Sequence, residues 1–234
     1  MEGINTIEVK QLSHQFELGK KDKKTVIPVL QDVSFTVTRG EIVTLIGRSG
    51  SGKSTLLHLI GGFLPRQSGN IIINTTDVSD FTEAQFAEFR LGTIGFIFQN
   101  FQLIQSMTAY QNVELPLILQ GVSETARKIQ ALDTLEKVGL KGFEHHYPSE
   151  LSGGQQQRVS VARALVLNPL IILADEPTGS LDSETEEDLL HLIKELNESL
   201  DITFLIITHD DEVAKIGHRS LMMHDGALID QEVK

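Results

Sequence analysis

The sequence predicts an α/β fold built on a mostly parallel sheet, and three observations carry that prediction. A short, almost wholly apolar segment, Ile42–Ile46, runs directly into a glycine-rich loop and then a helical stretch at Leu56–Ile60. Two further apolar runs, Ile171–Ala174 and Phe204–Ile207, are separated by an amphipathic helical segment. Apolar strands alternating with helices are the pattern of buried parallel strands joined by crossovers.

Taken in chain order, Met1–Val9 alternates apolar and polar residues and lacks the basic and apolar blocks of a signal peptide, so the protein is expected to stay in the cytoplasm. Lys20, Lys21, Lys23 and Lys24 cluster beside Gly19 and Asp22 and read as a solvated hairpin tip. Val33, Phe35 and Val37 alternate with Ser34, Thr36 and Thr38, which marks a half-buried strand. Ile42–Ile46 is interrupted only by Thr44 and reads as a strand buried on both faces. Between about Phe81 and Ala164 the pattern turns mostly helical, most clearly at Glu124–Val138 and Gln155–Leu167, and this block is the candidate subdomain. Ser183 and Glu186 are spaced as a capping box opening the helix that follows Ile171–Ala174, and Leu189, Ile193, Leu196 and Leu200 give it one apolar face.

A chain of 234 residues with 40% hydrophobic content can form one large domain, or a core domain carrying a smaller one. The absence of cysteine removes disulfides, thiolate metal sites and thiol catalysis. A net charge of −12 argues against broad binding to nucleic acid, which needs clustered Lys and Arg, so no nucleic-acid partner is expected. No apolar run approaches the roughly eighteen residues that cross a bilayer.

Gly47, Arg48, Ser49, Gly50, Ser51, Gly52, Lys53, Ser54 and Thr55 spell GRSGSGKST between a strand and a helix. Glycines let the backbone wrap closely around an anion, so that amides and the following helix N-terminus face a phosphate. Lys53 is placed to reach the β- and γ-phosphates of a nucleotide, and the Ser54 hydroxyl to bind Mg²⁺, which prefers oxygen ligands. The strand Ile171–Ala174 delivers Asp175 and Glu176 at its end. In a sheet shared with a phosphate loop, Asp175 is placed to hold Mg²⁺ through water and Glu176 to act as general base; without that loop the pair reads equally as two acids opening an exposed turn. Leu151–Gln155 reads LSGGQ and opens a helix that Ser152 caps; small residues at a helix start make a second anion site.

In order, GRSGSGKST, GFIFQ at Gly95–Gln99, LSGGQQQRVSVARAL from Leu151, IILADEPTGSLD from Ile171 and IITHD at Ile206–Asp210 resemble the full motif series of the ABC ATPase family, over essentially the whole chain. The resemblance implies a P-loop NTPase core with a RecA-like sheet and an N-terminal antiparallel β part, residues 1–90 and 165–234, carrying an inserted helical subdomain, residues 91–164. It implies that Phe16 stacks on adenine, where most relatives have Tyr and stack more strongly. Gln99 would touch Mg²⁺ and the attacking water; His209 would contact the γ-phosphate and position Glu176; Arg48, where many relatives carry proline or a small residue, would act through its backbone. Ser152, Gly153, Gly154, Gln155 and Asp182 of one protomer would close over ATP held by Lys53 of its mate, so that ATP binding joins a homodimer and hydrolysis releases it.

The family also contains proteins of DNA repair, chromosome condensation and translation. This chain lacks the long coiled-coil insertion between Lys53 and Ser152, the zinc cysteines and the second cassette that mark those relatives. The resemblance therefore implies a separately encoded membrane permease and a peripheral position on the inner face of the membrane. The segment Gly95–Gln120, with ADEPTGSLD, is most similar to the branch serving lipoprotein release and the efflux of macrolides and peptide antibiotics, with a cell-division regulator and an importer as the close alternatives.

Overall fold

In the computed structural model, residues 4–19 and 24–233 are described. Of the basic cluster, Lys20, Lys21 and Lys23 lie outside the described residues, and Lys24 forms an ion pair with Glu17 across the strands flanking them. The chain order is β1 (Asn5–Leu18), β2 (Thr25–Thr38), β3 (Ile42–Ile46), α1 (Lys53–Ile60), β4 (Ser68–Ile73), β5 (Thr76–Asp77), α2 (Glu83–Thr93), β6 (Ile94–Phe98), α3 (Ala109–Leu119), α4 (Glu124–Lys137), a 3₁₀ turn (Pro148–Glu150), α5 (Gly153–Leu165), β7 (Ile171–Asp175), α6 (Ser183–Leu200), β8 (Thr203–Thr208), α7 (Asp211–Ala214), β9 (Arg219–His224) and β10 (Ala227–Val233). These elements form two compact units, Met1–Ala87 with Thr203–Lys234, and Glu88–Ile202.

In the first unit, β1 pairs antiparallel with β2 and β4, and β4 with β5. Ile7, Val9, Leu12, Leu30, Val33, Val37, Ile71 and Ile73 from this sheet are all buried. Beside it runs the parallel part, where β3 lies between β8 and β9 with Ile46 opposite both Thr208 and Met222. All of Ile42, Val43, Thr44 and Leu45 are buried, as a central strand covered on both faces requires. The antiparallel strand β10 closes onto β9.

The second unit holds the parallel pair β6 and β7, with Phe98 opposite Asp175. Helices α3, α4 and α5 pack on one another, and α5 also covers β6. The expected helical block, residues 91–164, falls wholly inside this unit, which also carries β7 and α6.

Two helical expectations change. The cap of α6 is Asp182, whose carboxylate accepts from the Thr185 N–H at 3.0 Å, so the helix starts one residue earlier than the Ser183/Glu186 capping box predicts. Its buried stripe is Leu189, Leu192, Ile193, Leu196 and Asn197, while Leu200, next to the left-handed Asp201 that ends the helix, is 43% exposed. The helix expected at Gln155–Leu167 begins at Gly153, because Ser152 and Gln155 form a reciprocal capping box.

Candidate functional site

Two sets of predicted residues assemble, one in each unit. In the first, β3 ends at Ile46 and the loop Gly47–Gly52 leads into α1. Gly52 is the N-cap of α1 at φ +105, a conformation that L side chains rarely adopt, and no side chain caps the helix there. A Cβ at Gly52 would lie 2.7 Å from the Val29 carbonyl, and one at Gly47 2.4 Å from the Met223 carbonyl. The loop is therefore a tight backbone cradle at an uncapped helix N-terminus, which is where anions bind.

Two polar groups of the cradle suit a ligand of that kind. The Ser51 hydroxyl is buried without a hydrogen-bond partner. The Lys53 ammonium, on a residue only 5% exposed, donates to the carbonyls of Gly47 at 2.6 Å and Arg48 at 3.2 Å, so its charge is held directly over the loop. Ser54 is exposed at the start of α1 and Thr55 half-buried behind it; Arg48, Ser49 and Gly50 are exposed along the rim. A nucleotide's phosphates fit this donor set.

His209 belongs to the same unit. Since Thr208 pairs with Ile46, His209 and Gly47 leave neighbouring parallel strands side by side, roughly 5 Å apart by ordinary strand spacing. His209 is exposed, and α7 behind it is capped by Asp210, which accepts from Glu212 N–H at 2.7 Å. Phe16 stands opposite Ile27 on the ribbon β1–β2, a short way along β2 from the Val29 carbonyl that backs Gly52. Phe16 is 39% exposed, and its ring and that of His14 meet nearly at right angles with centroids 4.9 Å apart. Burial holds the His14 imidazole below its usual pKa, and both its ring nitrogens lack partners.

In the second unit the register Phe98↔Asp175 makes Gln99 and Glu176 neighbours at two parallel strand ends. The Gln99 amide packs so closely on the following turn that a Cβ at Gly179 would sit 2.7 Å from its Nε2. Glu176 is held at φ +44, an uncommon conformation for a side chain this large, and such strain gathers at functional positions. The capped start of α5 lies beside the same turn, since a Cβ on Gly153 would be 3.9 Å from the Ser180 carbonyl and one on Gly154 2.2 Å from Thr185 Cγ2. Asp182 is exposed there, and the backbone N–H of Thr185 holds its carboxyl below the usual range. Asp175 and Gln99 stand at paired strand ends with only oxygen donors to offer a metal, which suits a hard cation.

Three polar residues that sequence reasoning missed tie these segments together. Gln157, fully buried, donates from one amide to the carbonyls of Pro177 at 2.5 Å and Phe98 at 3.4 Å, the residues flanking Glu176 and Gln99. Arg163 donates to the carbonyls of Phe101 at 2.9 Å and Gln102 at 2.7 Å, both at positive φ. Asn112 holds the backbone of Ile104, Met107 and Thr108. Gln157 was findable: it shares a helical face with Ser160, Val161 and Ala164, and a buried amide must be bonded. Gln157→Ala is expected to lower stability by about 1–3 kcal/mol, because two interior carbonyls lose a donor. The check is the urea midpoint at constant slope; an unchanged midpoint would make the contact incidental.

The family model described as ABC transporter matches residues 30–179. The chain is 59% identical over 222 residues to the ABC transporter ATP-binding protein YtrE of Bacillus subtilis, covering 95% of this chain and 96% of that one. It is 42% identical over 231 residues to the macrolide export ATP-binding/permease protein MacB of Mannheimia succiniciproducens, 99% of this chain but 35% of that longer protein. Among solved structures, the dimeric post-hydrolysis state of the ATP-binding cassette MJ0796 bound to ADP and Pi superposes with a TM-score of 0.88 at 39% identity, covering 97% of this chain and 99% of that one; MJ0796 is from Methanocaldococcus jannaschii.

Proposed function

The chain belongs to the ABC transporter family as its ATP-binding, ATP-hydrolysing cassette, and from that premise we propose that it acts as a homodimer sharing two ATP sites and driving a separate membrane permease. The observation that carries this reading is the presence of two anion-ready helix starts in one chain, α1 after the loop Gly47–Gly52 and α5 at Ser152–Gln155. One triphosphate needs one cradle, so the second start is explained when it serves the nucleotide of a partner copy. The dimeric MJ0796 cassette supports that reading.

The roles follow from placement. Lys53 and the loop amides grip the β- and γ-phosphates, Phe16 stacks on the base, and Ser54, Asp175 and Gln99 are the residues that would hold Mg²⁺. Bound Mg²⁺ supplies charge that offsets the phosphate oxygens. Glu176 accepts the proton of the attacking water, Gln99 beside it orients that water, and His209 steadies the γ-phosphate. Ser152, Gly153, Gly154, Gln155 and Asp182 close from the partner copy.

We assign the work to efflux or to motion transmitted across the membrane, as the likeness to MacB supports, and place the chain peripherally on the inner membrane face. Ile104, in the segment that Asn112 braces, and Ile118 and Leu119, at the end of α3, are 38%, 46% and 67% exposed, apolar side chains of the kind a permease would cover. Expressed alone, the chain is expected in the soluble fraction; with its permease it should sediment with membranes and co-purify. Salt-sensitive binding to nucleic acid without any membrane association would overturn the assignment.

A further inference from the structure

We propose that Gly226, in the turn between β9 and β10, is a positioning residue that sets the phosphate loop for binding. The proposal rests on the reading of Gly47–Thr55 as that loop. Three stretches far apart in sequence meet in the first unit: the loop, β2 at Val29–Gln31 and the turn at Met223–Gly226. The Gly226 N–H donates to the Ser51 carbonyl at 3.0 Å, and the Gln31 N–H donates to the Gly226 carbonyl at 2.8 Å. The Gln31 side-chain amide adds a bond to the Asp225 carbonyl at 3.1 Å.

Asp225 at φ +46 and Gly226 at φ +81 form the Asp-Gly turn that suits a tight hairpin, so the Gly226 N–H has a fixed direction. A Cβ on Gly226 would lie 2.4 Å from the Val29 carbonyl, the same carbonyl that backs Gly52. The Ser51 carbonyl and the Gly52 N–H belong to one planar trans peptide and point opposite ways. Drawing that carbonyl toward Gly226 turns the Gly52 N–H away from the hairpin, toward the other side of the loop. Amides aimed before the anion arrives spare it the ordering cost of aiming them, so affinity depends on a residue that never touches the ligand.

The test compares Gly226→Ala with Gly121→Ala, a control at φ +78 with open space around it. Mg-ATP affinity is measured by calorimetry, loop order by amide hydrogen exchange, and thermal midpoints without nucleotide. Gly226→Ala is expected to weaken Mg-ATP binding about tenfold or more and to speed exchange at residues 51–53 at temperatures where it is folded, although its Cβ, set against the Val29 carbonyl, lowers the midpoint below that of Gly121→Ala. Gln31→Ala, which loses only its side-chain bond to Asp225, should weaken binding about two- to fivefold. If Gly226→Ala fails to fold, Gln31→Ala decides alone. Unchanged affinity and exchange in the folded variants would overturn the proposal. Lys53→Ala separates the premises: lost binding there with none lost at Gly226 rejects only the positioning role, while full binding in Lys53→Ala rejects the phosphate-loop reading and this proposal with it.

Discussion

Glu176→Gln is expected to cut ATP turnover by about a hundredfold or more while preserving ATP binding, and to leave the chain dimeric whenever Mg-ATP is present. Glu176 follows β7 directly and, through the pairing of Phe98 with Asp175, stands next to Gln99. Its backbone at φ +44 aims the side chain by local strain, and Pro177 and Thr178 are buried behind it. The amide has the shape of the carboxylate but accepts no proton, so the loss falls on the chemical step and not on the fold. Phosphate release measures the first effect. Size-exclusion chromatography with and without Mg-ATP measures the second, as a shift to twice the mass. Undiminished turnover would remove Glu176 from the role of base; lost turnover without the shift would leave that role intact and mean either that closure needs the permease or that Ser152–Gln155 does not serve the partner's nucleotide.

What the sequence reveals of this fold and what it hides differ for a physical reason. Strand β3 at Ile42–Ile46 is readable because a strand covered on both faces must be apolar throughout, and β7 and β8 are readable for the same cause. The glycine loop is readable because close backbone approach to Val29 and Met223 admits only small residues. The choice of cap for α6 is not: Asp182 and Ser183 are both good caps, and the turn that brings Gly154 against Thr185 decides between them. Gln157, Arg163 and Asn112 each bond to carbonyls or amides of another segment, and their partners are set by tertiary structure alone. The same holds for Gly226, whose contact with Ser51 exists only once β9 lies beside β3.

Mixing two inactive variants is expected to restore activity. Lys53→Ala removes the ammonium held over the Gly47 and Arg48 carbonyls, so a site using that chain's loop cannot grip the phosphates. Gly154→Asp places a carboxylate at the start of α5, against Thr185 and where a partner's phosphates would approach, so a site using that chain's Ser152–Gln155 segment is repelled. Each pure variant should fall about a hundredfold or more in turnover. In a mixed dimer, the intact loop of the second variant faces the intact Ser152–Gln155 of the first, and one site is whole. An equal mixture should then recover about a quarter of native turnover, because half the dimers are mixed and each has one working site. In the Glu176→Gln background, a tagged Lys53→Ala chain should capture an untagged Gly154→Asp chain only with Mg-ATP. If every site were complete within one chain, mixing would restore nothing and no ATP-dependent capture would occur; the two anion-ready helix starts would then serve different ligands.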